Sequence, residues 1–436
     1  MKNIVRALIL FAPLSVHAQD PYFPPIVGST WETVDPDSLG WCTDAMPALL
    51  EFLEDNNTKA FIVLKDGRIA IEEYFGTFTQ DSIWYWASAG KSLTAFLVGT
   101  AQQDGLLDID QPASTYLGDG WTSCTPEQEA AITVRHQLSM TTGLDDGLGD
   151  ADCTDPECLQ YLAEPGSRWA YHNAPYTRLD GVLANATGQS LNTYLLNELT
   201  ATTGLSGLFF QVGYNNVMFS TARSMARFGL LAMNRGTWNG NAFLSDQDYF
   251  DDMVTPSQSI NRSYGYLWWL NGQASYMLPG VQLEIPGPIM PNAPAEAFNA
   301  MGKNGQFINV VPSQGIVLIR MGNIPGSNLF VPNFFNDDIW EHLNDVLCTT
   351  IAVEEQAPGP GITISPNPAT DLLKITVPTG ATLGELHIVD ATGRIVRREN
   401  LLSTALTLDL GGLAPGYYHC VLSTADRRVV KSFVLE

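Results

Sequence analysis

The stretch Trp86-Ala87-Ser88-Ala89-Gly90-Lys91 sets a hydroxyl and an ammonium three residues apart at the head of an apolar-periodic segment. On a helix, residues i and i+3 share a face about one turn apart, so Ser88 and Lys91 meet there. A serine hydroxyl is a weak nucleophile until a neighbouring base takes its proton. A lysine takes that role when burial or a cationic neighbour holds it neutral, well below its ordinary value of about 10.4. The helix N-terminus adds positive potential and free N–H groups where an oxyanion would form. The chemistry is acyl transfer. Taken alone, S-x-x-K also fits a Ser cap followed by an exposed Lys. The rival nucleophile turn, G-x-S-x-G, is disfavoured because Trp86 fills its first glycine position and no strand–helix alternation surrounds it.

Two further clusters carry polar chemistry. Tyr171-His172-Asn173 lies in a loop, Glu164 to Tyr176, that leads into a helix, and Lys303-Asn304-Gly305-Gln306 opens a strand. With S-x-x-K, Y-x-N and K-x-G in this order, the chain resembles the serine β-lactamase and penicillin-binding-protein family. Within it, the class C β-lactamase, esterase and 6-aminohexanoate-dimer hydrolase branch is the most similar. Ile132-Thr-Val-Arg-His-Gln-Leu-Ser-Met-Thr-Thr-Gly-Leu144 and Ser220-Thr-Ala-Arg-Ser-Met-Ala-Arg-Phe-Gly229 are family-like phrases. The resemblance covers residues 40–350.

It implies that Ser88 is acylated and that Lys91 and Tyr171 share the proton transfers. For Tyr171 to act as a base, with an ordinary pKa near about 10, Lys91 and Lys303 must supply a cationic field. Asn173 is expected to hydrogen-bond Lys91 or a substrate amide. The N–H groups of Ser88 and Gln306, beyond Gly305, are expected to form the oxyanion hole. His172 and Trp86 are expected to back the site. Asn304 stands where β-lactamases usually carry threonine; Lys303 keeps the charge.

The elements that must position these residues are legible in part. A helix is expected over Asp44–Asp55, then a hairpin of Ala60–Leu64 and Arg68–Phe75 turning at Asp66-Gly67. Ser88–Gln103 and Ser220–Asn234 read as helices, Gln306–Val311 and Ile316–Met321 as a second hairpin, and Asn333–Leu347 as a closing helix. These features predict an α/β domain: one antiparallel sheet built from both chain ends, flanked by helices, with a helical region beside it. Trp84-Tyr85-Trp86 fits core or cleft equally, while Tyr264-Gly-Tyr-Leu-Trp-Trp269 is expected to line the substrate cleft.

The chain has 436 residues, enough for two domains or three. Its 22 Lys+Arg against 46 Asp+Glu give −24, all of it carried by residues 19–352, which disfavours nucleic-acid partners. Residues 1–18 read as a signal peptide, too short in apolar length to span a bilayer, so no transmembrane segment is expected in the mature chain. Export permits disulfides. The six cysteines allow 15 pairings, of which only Cys153–Cys158 is close enough in sequence to propose. The acidic run Asp145, Asp146, Asp150, Asp152 and Asp155 lacks EF-hand spacing and reads as a solvated loop. The histidines lack metal-ligand spacing, so no metal or other cofactor is expected.

Residues 353–361 form a Pro/Gly linker, and about seven short alternating segments in 362–436 predict a small C-terminal β-sandwich. Ile364-Ser-Pro-Asn-Pro-Ala-Thr-Asp371, Ile388-Val-Asp-Ala-Thr-Gly-Arg394 and Leu413-Ala-Pro-Gly-Tyr-Tyr418 resemble the type A sorting domain of type IX secretion substrates. That resemblance implies the type IX machinery as partner and a secreted or outer-membrane-attached protein. The reading is a secreted serine hydrolase acting on a small-molecule or peptide amide, lactam or ester. The alternative is an inactive binding protein of the same fold for peptide or peptidoglycan-like ligands.

Overall fold

The computed structural model describes residues 21–325, 332–348, 363–376, 385–390, 395–400, 403–423 and 428–435. The expected signal peptide and linker lie outside them. The chain divides into two compact units, Met1–Thr350 and Ile351–Glu436.

In the first unit, helix α1 (Met46–Asp55) precedes the hairpin β1 (Thr58–Lys65) and β2 (Arg68–Tyr74), which turns at Asp66 and Gly67, both at positive φ. A short strand β3 (Trp84–Tyr85) leads through a 3-10 turn, Ala87–Ala89, into α2 (Gly90–Gln103). Helices α3 (Asn173–Thr177) and α4 (Leu179–Thr187) belong to the helical middle. The hairpin β4 (Gly207–Val212) and β5 (Asn215–Ser220) joins β3 in a three-stranded sheet, and α5 (Ala222–Met233) follows, capped by Thr221. The chain then returns to the main sheet with β6 (Trp269–Leu270), β7 (Phe298–Gly302), β8 (Gln306–Val311) and β9 (Ile316–Gly322), and closes on α6 (Asn333–Leu347).

The main sheet is antiparallel, in the order β2-β1-β9-β8-β7-β6. Every residue of β7, β8 and β9 is buried because helices cover both faces. On one face, Gly229 of α5 lies against Val317 and Ile308. On the other, Trp340 of α6 donates its indole N–H to Asn309 at 2.8 Å. Strand β7 was not foreseen. Phe-Asn-Ala-Met-Gly lacks β-branched alternation, and its register against β8, Phe298 opposite Val310 through Gly302 opposite Gln306, makes it a strand.

A guanidinium lies inside the sheet. Arg320 of β9 is fully buried, and its N–H groups reach Thr58 Oγ1 and the carbonyls of Asn56, Asn304, Gly305 and Asn323 at 2.7–3.1 Å. No carboxylate faces it in these bonds; backbone oxygens satisfy it, as a buried charge requires.

The second unit stacks two antiparallel sheets of short strands. One runs Thr363–Ser365, Leu372–Thr376 and Ala405–Asp409; the other runs Ile395–Asn400, Glu385–Asp390, Gly416–Ser423 and Arg428–Leu435. Leu373, Ile375, Ile388, Leu408 and Phe433 form its core, and the expectation of a β-sandwich holds.

Two disulfides form. Cys153–Cys158 matches the expected pair, while Cys42–Cys348 joins residues 306 apart that sequence spacing had no means to pair. Cys124 and Cys420 are free. The long-range bridge ties the segment before α1 to the end of α6, where Cys42 N–H also bonds Val346 O at 2.7 Å. Because so long a loop is closed, the double variant Cys42→Ser/Cys348→Ser is expected to lose about 2–4 kcal/mol of unfolding free energy, read by denaturant titration. A midpoint matching wild type under oxidising conditions would refute this.

Candidate active site

The 3-10 turn after β3 carries Ser88, half-buried at the start of α2. Ala87 holds φ +47°, a left-handed conformation that costs a non-glycine residue energy and marks the turn as held by its surroundings. One turn on, Lys91 donates from Nζ to Ser88 Oγ at 3.0 Å. Lys91 is 5 % exposed. Its ammonium lies 4.3 Å from the Tyr176 ring centre and 5.3 Å from that of Tyr171. Burial pulls its pKa down to about 7, against the opposing pull of the Asp152 and Asp180 carboxylates. Asp180, on α4, is itself pushed up to about 7 by burial, and Asn216 Nδ2 donates to it at 3.0 Å.

Tyr171 precedes α3, and its phenol lies near enough to Ser88 for that side chain to act on it. Its ring stacks on Trp269 at 5.7 Å and meets Tyr264 edge-on at 6.1 Å. Burial raises its pKa well above the ordinary phenol value, and the influence of Ser88 only partly offsets this. The cationic field expected to turn this phenol into a base is therefore not what governs it. It stays protonated at neutral pH and offers an O–H.

Several expected roles are corrected by position. Asn173 donates from Nδ2 to Asp152 at 2.7 Å, and its Oδ1 is a buried acceptor without a protein partner, so it is not bonded to Lys91. Lys303, Asn304 and Gly305 lie in the turn between β7 and β8, so only Gln306 belongs to a strand. Lys303 is exposed and, among the described residues, makes no ion pair or side-chain hydrogen bond. Asn304 Nδ2 donates to Tyr85 Oη at 2.7 Å. A Cβ on Gly305 would meet Arg320 and Phe335, so that glycine serves the packing of the turn. Gln306 is buried with its amide bonded to Gly322 N–H and O at 3.0 and 2.7 Å.

The strand beside the nucleophile is β7, ahead of the K-x-G turn. A Cβ on Gly302 would lie 2.4 Å from Trp86 O, 3.0 Å from Ala89 N and 3.2 Å from Ala87 Cβ. Gly302 was missed because an A-M-G triplet carries no charge to draw attention to it. Trp86 is buried and donates its indole N–H to Ser220 Oγ at 2.7 Å, fixing the turn from behind.

His172 is 3 % exposed, and burial pulls it down to about 4, so it is neutral, with Nδ1 unpartnered. The Tyr264–Trp269 stretch, expected to line a cleft, is buried core: five of its side chains are at most 4 % exposed. Two of them, Tyr264 and Trp269, hold the Tyr171 ring. The acidic loop is also less solvated than its composition implied, since Asp146 pairs with Arg168 at 2.6 Å and Asp152 with Asn173. Among the described residues, no group of His, Cys, Asp and Glu is placed to hold a metal ion, and no helix is long and apolar enough to cross a membrane.

A sheet edge, a Ser–Lys helix and a tyrosine loop meeting in this way define a β-lactamase/transpeptidase-like fold. Residues 54–333 match the family model described as Beta-lactamase, and the chain belongs to that family. It is 26 % identical over 324 residues to an uncharacterized protein of Alkalihalophilus pseudofirmus, covering 65 % of this chain and 88 % of the other. It is 23 % identical over 285 residues to the 6-aminohexanoate-dimer hydrolase of Paenarthrobacter ureafaciens, covering 54 % and 70 %. Among solved structures, a penicillin-binding protein homolog from Caulobacter crescentus superposes with TM-score 0.54 at 15 % identity, over 73 % of this chain and 99 % of that one. Residues 363–436 match the secretion system C-terminal sorting domain. The protein belongs to a family of β-lactamase-related hydrolases and is secreted or attached to the outer-membrane surface.

Gly302→Ala tests the close approach. The added methyl must push β7 away from the Ser88 turn, and a displacement near 1 Å costs about 100-fold in turnover. Wild-type acylation rates in a folded Gly302→Ala protein would remove β7 from the site.

Proposed function

We propose that this chain is a serine hydrolase that cleaves an amide, lactam or ester through a Ser88 acyl-enzyme. The observation that carries the reading is the 3.0 Å bond between a buried Lys91 and Ser88. Neutral Lys91 accepts the Ser88 proton as Oγ bonds to the substrate carbonyl carbon. The oxyanion is held by the Ser88 N–H and by an N–H at the end of β7, each donor of this kind being worth about 3–4 kcal/mol. Collapse of the tetrahedral adduct breaks the bond to the leaving group. That group takes its proton from the Tyr171 hydroxyl, which the Lys91 ammonium reprotonates. Water then attacks the acyl-enzyme by the same proton path in reverse, regenerating Ser88 and neutral Lys91.

Tyr171 acts here as a relay, and Lys91 is the base. Aminohexanoate oligomers, D-amino-acid peptides, lactams and short esters all suit one nucleophile and one oxyanion hole. A panel of nitrocefin, p-nitrophenyl esters and D-Ala-D-Ala peptides on the mature protein separates them.

A fluorophosphonate is expected to leave a mass adduct on Ser88 that Ser88→Ala abolishes. A folded protein that none of several acylating probes labels would overturn the reading. Lys91→Ala and Tyr171→Phe are each expected to lower turnover at least about 100-fold. Because only unprotonated Lys91 accepts a proton, kcat/KM should rise with pH up to a bend near about 7 and fall about tenfold per unit below it. A flat profile from pH 5 to 8 would exclude Lys91 as base.

A further inference from the structure

We propose that Asp152 is a positioning residue for the acyl transfer, acting through Asn173; this rests on the function proposed above. The loop bearing Asp152 grips the segment that delivers Tyr171 at three points. Asp146 pairs with Arg168 at 2.6 Å, three residues before Tyr171. Asp152 Oδ1 accepts from Asn173 Nδ2 at 2.7 Å, two residues after it. Ala151 O accepts from Ala174 N at 3.2 Å in the first turn of α3. The Cys153–Cys158 bridge closes the loop directly beside Asp152.

A carboxylate only accepts hydrogen bonds, so it dictates which way the Asn173 amide faces. The NH2 must turn to Asp152, which leaves Oδ1 as the buried acceptor that has no protein donor. Were the amide free to flip, the bond to Asp152 would be lost and the segment two residues beyond Tyr171 would lose its side-chain anchor to the loop. The same carboxylate acts on Lys91 through space. The other charged or titratable groups around this pair are Asp180, Tyr171 and Tyr176 beside Lys91, and His172, Asp145, Asp146 and Arg168 beside the loop.

The test is a double-mutant cycle read as the rate of fluorophosphonate labelling of Ser88 in the full chain. Asp152→Ala should slow labelling about 10- to 100-fold, on the scale set by misplacement of a reacting group. In an Asn173→Ala background, the same change should cost less than about twofold when labelling is read at pH 8, above the Lys91 bend, because the path through Asn173 is already gone and the field of Asp152 on Lys91 no longer matters there. Asp152→Asn keeps an acceptor but no charge. It should slow labelling less than Asp152→Ala and move the acid limb of the pH profile to lower pH, because the carboxylate that favours the ammonium is lost. It also carries the test if Asp152→Ala does not fold.

Additive losses in the cycle, wild-type labelling in Asp152→Ala, or an unmoved acid limb in Asp152→Asn would each overturn the proposal. Wild-type protein that takes no label at all would overturn the proposed function, and this inference with it.

Discussion

The site depends on keeping one lysine out of water. Lys91 occupies the first turn of α2, where every residue from Gly90 to Ala101 is buried. Burial strips hydration from the ammonium, and the positive end of the helix also disfavours a further positive charge. An ammonium there is expensive, and an amine that stays neutral near pH 7 is the result. Asp152 and Asp180 oppose the shift, and the two tyrosine rings lie close enough to favour a cation as well. The balance leaves the amine within reach of both protonation states. That balance is what a group needs if it must take a proton from a hydroxyl and later give it back.

The same desolvation acts on Tyr171 with the opposite consequence. Burial disfavours the charged form of each group, so it frees the lysine of its proton and fixes the proton on the phenol. Burial of both groups thus gives them opposite protonation preferences without any special chemistry in either side chain. Trp269 and Tyr264 pack against the phenol ring and hold it in place.

How far the sequence foretold this depended on the range of each interaction. The Ser88–Lys91 contact is local: helical spacing alone delivers it. Strands β8 and β9 and helix α6 were legible because β-branched runs and a periodic apolar stripe carry their own signal. Strand β7 was not, since Phe298–Gly302 becomes a strand only by pairing with β8. Charge misled the reading of its neighbour. Lys303 drew attention to a turn, while the contact with the segment that carries Ser88 is made by Gly302, whose relevance is that it has no side chain. Asp146 and Asp152 read as solvated because their partners, Arg168 and Asn173, lie in another loop. The aromatic run ending at Trp269 was expected to line a cleft, and the fold buries it in the core instead.

The C-terminal sorting domain bears on the site through the compartment it leads to. Disulfides persist outside the reducing cytoplasm, and this chain forms two. Cys42–Cys348 ties two chain segments that the sheet does not pair. Cys153–Cys158 stiffens a loop with few apolar side chains, whose aspartates would otherwise repel one another. In a chain with a net charge of −24, such a loop has little reason to stay folded against the segment that carries Tyr171. The bridge, Arg168 and the Asn173 amide supply that reason.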